Sequence, residues 1–252
     1  MERWSNKVVL ITGATAGIGK AITAKLVAQG VKVVGCGRRL DRLQELEAKH
    51  GDSFKGYQCD LAQGQSAISE MFQKIQTDVG AIHCLINNAG VGSFSLVLSE
   101  DSSFESWQKI LNINVLAVAE CSRLAFLNMK QNNVENGQII NISSLSGHRV
   151  PAGFTGNAMY SASKHALRAL TEGIRQELRE MKSSHRVCEI SPGLVKTEFF
   201  AVMKSEKEAE SFYQEKPHIS ADDVADSVIF VLSTPAHMEV NDILIRPTAQ
   251  VV

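Results

Sequence analysis

Short, nearly continuous apolar runs alternate along this chain with stretches whose apolar residues recur every three or four positions. The runs at residues 7–12 (KVVLIT), 31–37 (VKVVGCG), 54–59, 83–87 (HCLIN), 138–143 (QIINIS), 187–191 and 242–246 (DILIR) read as strands. Several are apolar at consecutive positions, as expected for strands covered on both faces. The gaps carry helical spacing. Residues 19–29 stop at Gly30, and residues 107–129 carry Ile110, Val115, Val118 and Leu124 on one side. Tyr160 opens a long helical stretch reaching about Met181, and Ser220-Ala-Asp-Asp begins another helix with a serine cap and early acids. Strands alternating with helices predict a parallel, doubly wound sheet of Rossmann type, α/β in class, with helices on both faces. Ligands in such folds bind beyond the carboxyl ends of the strands.

Composition narrows the classes. The 252 residues hold 26 Lys plus Arg against 27 Asp plus Glu, a formal charge of −1. That balance, with a pI of 6.7, lies far from the pI above ~9 of a nucleic-acid-binding domain, so no nucleic-acid partner is expected. Only residues 8–12 are apolar before the first glycine turn, too short for the core of a signal peptide. No later stretch reads as the ~20 apolar residues of a membrane span. A soluble, cytoplasmic protein is the expectation. Five widely spaced cysteines without a CxxC pair, and seven histidines without ligand spacing, predict neither disulfides nor a metal site. With no internal repeat and only five prolines, residues 1–252 read as one domain.

The first strand runs into Thr12-Gly13-Ala14-Thr15-Ala16-Gly17-Ile18-Gly19 and then a helix. A diphosphate needs bare backbone N–H groups at a helix N-terminus, and strand, glycine turn, helix provides them. An ordinary tight turn would use glycines too. The end of the second strand adds a second signal. An acid there would bond a free ribose 2′-hydroxyl, but Gly37 takes that place and Arg38 and Arg39 follow. Guanidinium groups without a carboxylate suit a 2′-phosphate, so NADP(H) is preferred to NAD(H). The alternative is that both arginines are solvated and pair with Asp41 or Glu45. Asp60 and Leu61, after the third strand, are placed to meet adenine, although Asp60 equally suits a helix cap.

Tyr160 and Lys164 are four residues apart, on one helix face. An adjacent ammonium stabilises a phenolate and would draw the tyrosine pKa down from ~10, making Tyr160 a general acid and base. Other motifs end strands at the same sheet edge. Asn87-Asn88-Ala89-Gly90 follows the fourth strand, Ser143-Ser144-Leu145-Ser146 the fifth, and Ser191-Pro192-Gly193-Leu194-Val195-Lys196-Thr197 the sixth. Asn114 puts an amide in an apolar helix, which the interior tolerates only if it is hydrogen-bonded.

These ordered motifs, TGATAGIG, NNAG, Asn114, NISS, YSASK and SPGLVKT, resemble the short-chain dehydrogenase/reductase family across essentially the whole chain. The segments MERW, SGHRV and TEGIRQELRE and the C-terminal tail look like an animal subgroup that includes insect farnesol dehydrogenases and a keto-steroid reductase. The resemblance implies a seven-stranded parallel sheet, a nicotinamide dinucleotide, and a catalytic set of Asn114, Ser144, Tyr160 and Lys164. Tyr160 would move the proton, Lys164 would lower its pKa and bond the nicotinamide ribose, and Ser144 would polarise the substrate oxygen. Asn114 would hold a water in a proton relay. Cofactor contacts would come from Gly13, Thr15, Gly17, Ile18, Gly19, Arg38, Arg39, Asp60, Leu61, Asn88, Ala89, Gly90, Tyr160, Lys164, Pro192, Gly193, Val195 and Thr197. A homodimer or homotetramer joined through residues 107–129 and 160–181 is also implied.

One departure is length. Ser144 and Tyr160 are sixteen residues apart, more than in many members, which leaves substrate contacts in residues 147–157 open. Substrate choice should come from the least regular segment, residues 199–217. Phe199, Phe200, Met203, Phe212 and Tyr213 give it an apolar surface, matched by Val91, Phe94 and Leu96. Phe212 and Tyr213 could instead be packing a helix on the core. The expected substrate is a small hydrophobic alcohol or carbonyl, with Ser146, His148, Phe199 and Phe200 as candidate contacts; for His148 a hydrogen-bonded loop histidine is the better reading.

Overall fold

The first strand, β1 (Val8–Thr12), is buried along its whole length. The computed structural model, which describes residues 1–152 and 156–250, places it third from one edge of a seven-stranded sheet. Its neighbours in chain order are β2 (Lys32–Gly37), β3 (Phe54–Gln58), β4 (Cys84–Asn87), β5 (Gln138–Ile142) and β6 (Arg186–Pro192); a minor pair, β7 (Val195–Lys196) and β8 (Ile219–Ser220), precedes β9 (Asp242–Ile245). The main sheet runs β3-β2-β1-β4-β5-β6-β9, and every pairing is parallel. All seven expected strands are present. The chain winds outward from β1 in one direction, then returns to start β4 on its other side. The crevice above that reversal is where a doubly wound sheet receives ligands.

Helices α1 (Gly17–Ala28), α2 (Leu40–His50), α3 (Gln65–Asp78), α4 (Phe104–Leu111), α5 (Ala117–Gln131), α6 (Ala158–Glu180), α7 (Glu198–Met203), α8 (Glu206–Glu215) and α9 (Ala221–Ser233) complete the layers. Alternate residues of β1 feed separate cores. Val9 and Ile11 join Ile22, Leu26, Val224 and Val228 of α1 and α9. Val8 and Leu10 join Ile68 and Ile75 of α3 and Cys121 and Ala125 of α5. Burial on both faces explains the unbroken apolar runs. All five cysteines are buried and free. The serine cap at α9 is a full capping box: Asp223 N–H donates to Ser220 Oγ at 3.2 Å, and Ser220 N–H donates to Asp223 Oδ2 at 2.7 Å.

Three features differ from the sequence reading. Residues 199–217 are largely helical rather than irregular. Thr197 caps α7 and Ser205 caps α8, their hydroxyls accepting from Phe199 N–H and Glu208 N–H, both at 3.2 Å. The Ser205-x-x-Glu208 pattern carried that signal. The helix over residues 107–129 begins earlier, at Phe104 behind a Ser103 cap, and contains a π-turn at Asn112–Leu116. Its continuous run Phe104–Gln131 has a mean hydropathy of 1.5 over 18 residues, so one helix among the described residues is long and apolar enough to cross a membrane. Here 44% of that window is buried, because one face supplies core residues of α5 while Leu116 and Leu127 stay exposed. Part of the long segment after Ser144, at 153–155, and residues 251–252 lie outside the described residues.

Candidate active site

A cleft of about 650 Å³ opens at the carboxyl ends of the strands. Its floor begins with the glycine turn. Gly13 and Gly17 have φ of +68° and +48°, and a Cβ on Gly19 would stand 2.3 Å from the Gly13 carbonyl oxygen. α1 therefore starts with no side-chain cap and no acid in its first turn, leaving donor N–H groups open to an anion. Thr12 and Asn88 fix this turn to the end of β4. Thr12 Oγ1 accepts from the N–H groups of Asn88 and Ala89, both at 3.0 Å. Asn88 Nδ2 donates to the carbonyls of Thr12 at 2.9 Å and Gly13 at 3.1 Å.

At the end of β2 the two arginines differ. The exposed Arg38 faces the cleft, and among the described residues nothing pairs with its guanidinium. Arg39 donates to Thr15 Oγ1 at 3.3 Å and pairs with Glu198 at 3.1 Å. Arg42 holds the same carboxylate at 2.8 Å. Glu198, not Asp41 or Glu45, is thus the acid in this group. Asp60 is the cap: Oδ1 accepts from Ala62 N–H at 3.1 Å, and the residue lines the cleft beside Leu61. Bare helix donors, a free guanidinium and a flat-walled crevice fit an adenine dinucleotide bearing a 2′-phosphate.

The other half of the cleft holds the reactive side chains. Ser144 follows β5 and accepts from Ser146 N–H at 3.1 Å. The Tyr160 phenol, in the first turn of α6, lies near enough to the Ser144 hydroxyl for Ser144 to favour its ionised form. One turn on, Lys164 is 4% exposed, donates to the Ile142 carbonyl at 3.0 Å and lies 5.7 Å from the Tyr160 ring centre. Burial pushes the Tyr160 phenol up, against the pull of Ser144. Burial also draws the Lys164 ammonium down to about 8, opposed by the Glu189 carboxylate. The phenol is therefore raised, not lowered as the Lys164 spacing led one to expect: burial dominates its shift, and the one opposing influence is Ser144, because desolvation disfavours the charged form.

Asn114 sits in the π-turn, a local insertion that often marks functional positions. Its Oδ1 accepts from Val91 N–H at 2.9 Å, while Nδ2 donates to the Val91 carbonyl at 2.9 Å and Ser163 Oγ at 3.0 Å. This satisfies the buried amide and ties the NNAG turn to α6, but the side chain does not reach the cleft. Pro192, Gly193, Val195 and Thr197 line the remaining wall, and Phe199 and Phe200 cover it. The Phe199 ring lies 5.8 Å from that of Tyr160, and Phe200 packs on Phe94 at 5.3 Å and stacks on Phe212 at 4.2 Å.

The chain's relatives place this arrangement. A profile of the short chain dehydrogenase family matches residues 7–208. The chain belongs to the short-chain dehydrogenase family. It is 44% identical over 259 residues to human "Dehydrogenase/reductase SDR family member 11", covering 100% of this chain and 98% of that protein. Against "Farnesol dehydrogenase" of Aedes aegypti it is 35% identical, covering 99% of each. A solved closed form of serine dehydrogenase complexed with NADP+ superposes with a TM-score of 0.88 at 34% identity, covering 97% of this chain and 96% of that one. Like those relatives, this short-chain dehydrogenase is an oxidoreductase of the class acting on CH–OH groups.

Most residues singled out from the sequence line this short-chain dehydrogenase cleft; four do not. Gly19 is packed under the glycine turn, Asn114 supports from behind, and His148 turns away toward Asp242 on β9, 3.7 Å from it. Leu96, matched to the apolar cover, stays outside the lining and half-exposed. Sequence reasoning missed Asn157, Lys109 and Gln250, all in the lining. Gln250 accepts from Leu194 N–H at 3.1 Å, a contact between distant segments that no local pattern announces.

Proposed function

We propose that this short-chain dehydrogenase interconverts a hydrophobic alcohol and its carbonyl with NADP(H), a prenyl alcohol such as farnesol being the leading substrate. The observation that carries the reading is the Ser144–Tyr160–Lys164 group under an aromatic cover, in one cleft with an unpaired Arg38. When bound, the nicotinamide supplies or accepts the hydride. The protein supplies position and proton handling. Tyr160 donates to or accepts from the substrate oxygen, and Ser144 orients that oxygen through its hydroxyl beside the phenol. Lys164 holds positive charge behind the phenol and a donor for the ribose. The relay role of Asn114 rests on its backbone, since its side chain is spent on Val91 and Ser163. α7 and α8 cover the site and exclude water with Phe199 and Phe200.

Two relatives support these substrate and cofactor choices: one bears the name farnesol dehydrogenase, and a solved neighbour is complexed with NADP+. The flat stacked pair of Phe200 and Phe212 also suits a rigid ring system, so keto-steroids and xenobiotic carbonyls form the second class. A panel of prenols, steroids and simple ketones, each run with NADP(H) and NAD(H), tests the proposal. Farnesol or a like prenol is expected to give the highest kcat/KM with the phosphorylated cofactor. NADPH binding without turnover of any compound would make the chain a cofactor-binding regulator instead.

The same reading includes a dimer or tetramer. Phe104 and Leu116, 62% and 61% exposed, and half-exposed Leu127 present apolar surface on the α4–α5 run. Light scattering is expected to give two or four times the 27.5 kDa of the chain; a single-chain mass at micromolar concentration refutes it.

A further inference from the structure

The sheet register builds a polar row that the cleft does not use. Asn87 pairs with Asn141, Asn141 with Glu189, and Glu189 with Asp242, across β4, β5, β6 and β9. Its inner half is satisfied: Asn87 Nδ2 donates to Asn141 Oδ1 at 2.8 Å, and Asn141 Nδ2 to Thr171 Oγ1 at 2.9 Å. Its outer half is not. Glu189 is 2% exposed; Oε1 accepts from Ser191 Oγ at 3.0 Å, but Oε2 is buried without a partner. His148, just past the Ser144 turn, brings Nε2 to 3.7 Å from Asp242 Oδ2, and this nitrogen is also buried without a hydrogen bond. One donor atom from each of His148, Glu189 and Asp242 lies within 4.8 Å of the other two, the one such group among the described residues.

A buried carboxylate oxygen with nothing to bond is costly. A divalent cation taking one donor from each side chain would satisfy both orphaned atoms and neutralise two carboxylates. We propose that His148, Glu189 and Asp242 form a site for a Zn2+-type cation, with a fourth position open to water. Imidazole with carboxylates suits zinc, whereas Mg2+ and Ca2+ take oxygen donors. Zinc bonds of about 2.0–2.2 Å place tetrahedral donors roughly 3.3–3.5 Å apart. The three side chains would draw in by about 1 Å, which the partly exposed Asp242 permits.

Arg168 is the built-in competitor. Its guanidinium contacts His148 Nδ1 and lies 3.8 Å from Asp242 Oδ2. A donor at Nδ1 puts the ring proton on Nε2, so that this nitrogen cannot bind a metal. Zinc binding moves that proton to Nδ1 and displaces Arg168, whose side chain is half-exposed. The cation then pins the turn after Ser144 to β6 and β9.

The test uses the tag-free full chain, stripped with chelator and titrated with Zn2+ by calorimetry, with Co2+ as an absorbance probe. One cation per chain is expected, with a rise in melting temperature. Glu189→Gln and His148→Asn should each weaken binding at least ~10-fold, whereas Arg168→Gln should tighten it. Should Glu189→Gln fail to fold, Asp242→Asn and Arg168→Gln at the rim carry the same opposite signs. No saturable 1:1 binding, or binding unchanged by the His148 and Asp242 substitutions, overturns the site. None of these readouts depends on the redox reaction, so failure here leaves the proposed function standing, and the converse holds.

Discussion

Replacing Tyr160 with phenylalanine is expected to lower turnover by about 10²–10⁴-fold, the usual worth of a positioned acid or base, while cofactor affinity stays unchanged. The substitution removes one oxygen and keeps the ring that packs on Phe199, so the cover and the fold should persist. Ser144 keeps the bond it accepts from Ser146 N–H. Turnover near wild type, with cofactor binding confirmed by fluorescence titration, would sink the proton-transfer assignment. The pH profile of the parent enzyme gives the same assignment a sign. Burial raises the Tyr160 phenol above its ordinary value, so at neutral pH it is protonated and ready to donate. Reduction should therefore be flat through pH 6–7 and fall above about 8, where Lys164 loses the charge that supports the developing phenolate. Oxidation needs the phenolate first, so it should climb with pH up to about 8 and less steeply above it, where Lys164 no longer supports the phenolate. A reduction rate rising through pH 8 would contradict the assignment.

What the sequence made legible follows from how local each signal is. The seven strands could be read because burial on both faces forces apolar residues at consecutive positions. The glycine turn and the Tyr160–Lys164 spacing are equally local, as is the cap at Ser220. Three kinds of feature escaped. The pKa balance at Tyr160 depends on how deeply the cleft desolvates it, which spacing alone does not report. Glu198 meets Arg39 and Arg42 across more than 150 residues of chain, so local pairing rules pointed to Asp41 and Glu45 instead. His148, Glu189 and Asp242 have no ligand spacing at all; sheet register brings them together. His148, a candidate substrate contact from its place after Ser144, is the loop histidine that the other reading expects, turned toward Arg168 and Asp242.

Arg38→Ala is expected to weaken NADPH about 10–100-fold, the factor that follows from losing a charge-assisted hydrogen bond of about 1.5–3 kcal/mol, and to leave NADH almost untouched. Arg38 is the sharper target of the pair because its guanidinium faces the cleft unpaired, whereas Arg39 already answers to Thr15 and Glu198. The missing acid at this strand end has a steric counterpart. A Cβ on Gly37 would come within 3.0 Å of Thr15 Cγ2 and 3.2 Å of its Oγ1, so an aspartate there must push against the glycine turn's own threonine. Restoring NAD use is thus better attempted at position 38. Arg38→Asp removes the cation and offers a carboxylate for the ribose hydroxyls, which should lower the NADPH to NADH preference further than Arg38→Ala does. Parallel titrations at two ionic strengths separate the contributions, since an exposed guanidinium–phosphate attraction weakens with salt and the NADH affinity does not share that slope. Equal losses for both cofactors would move the 2′-phosphate away from Arg38 and leave Arg39 and Arg42, once released from Glu198, to hold it.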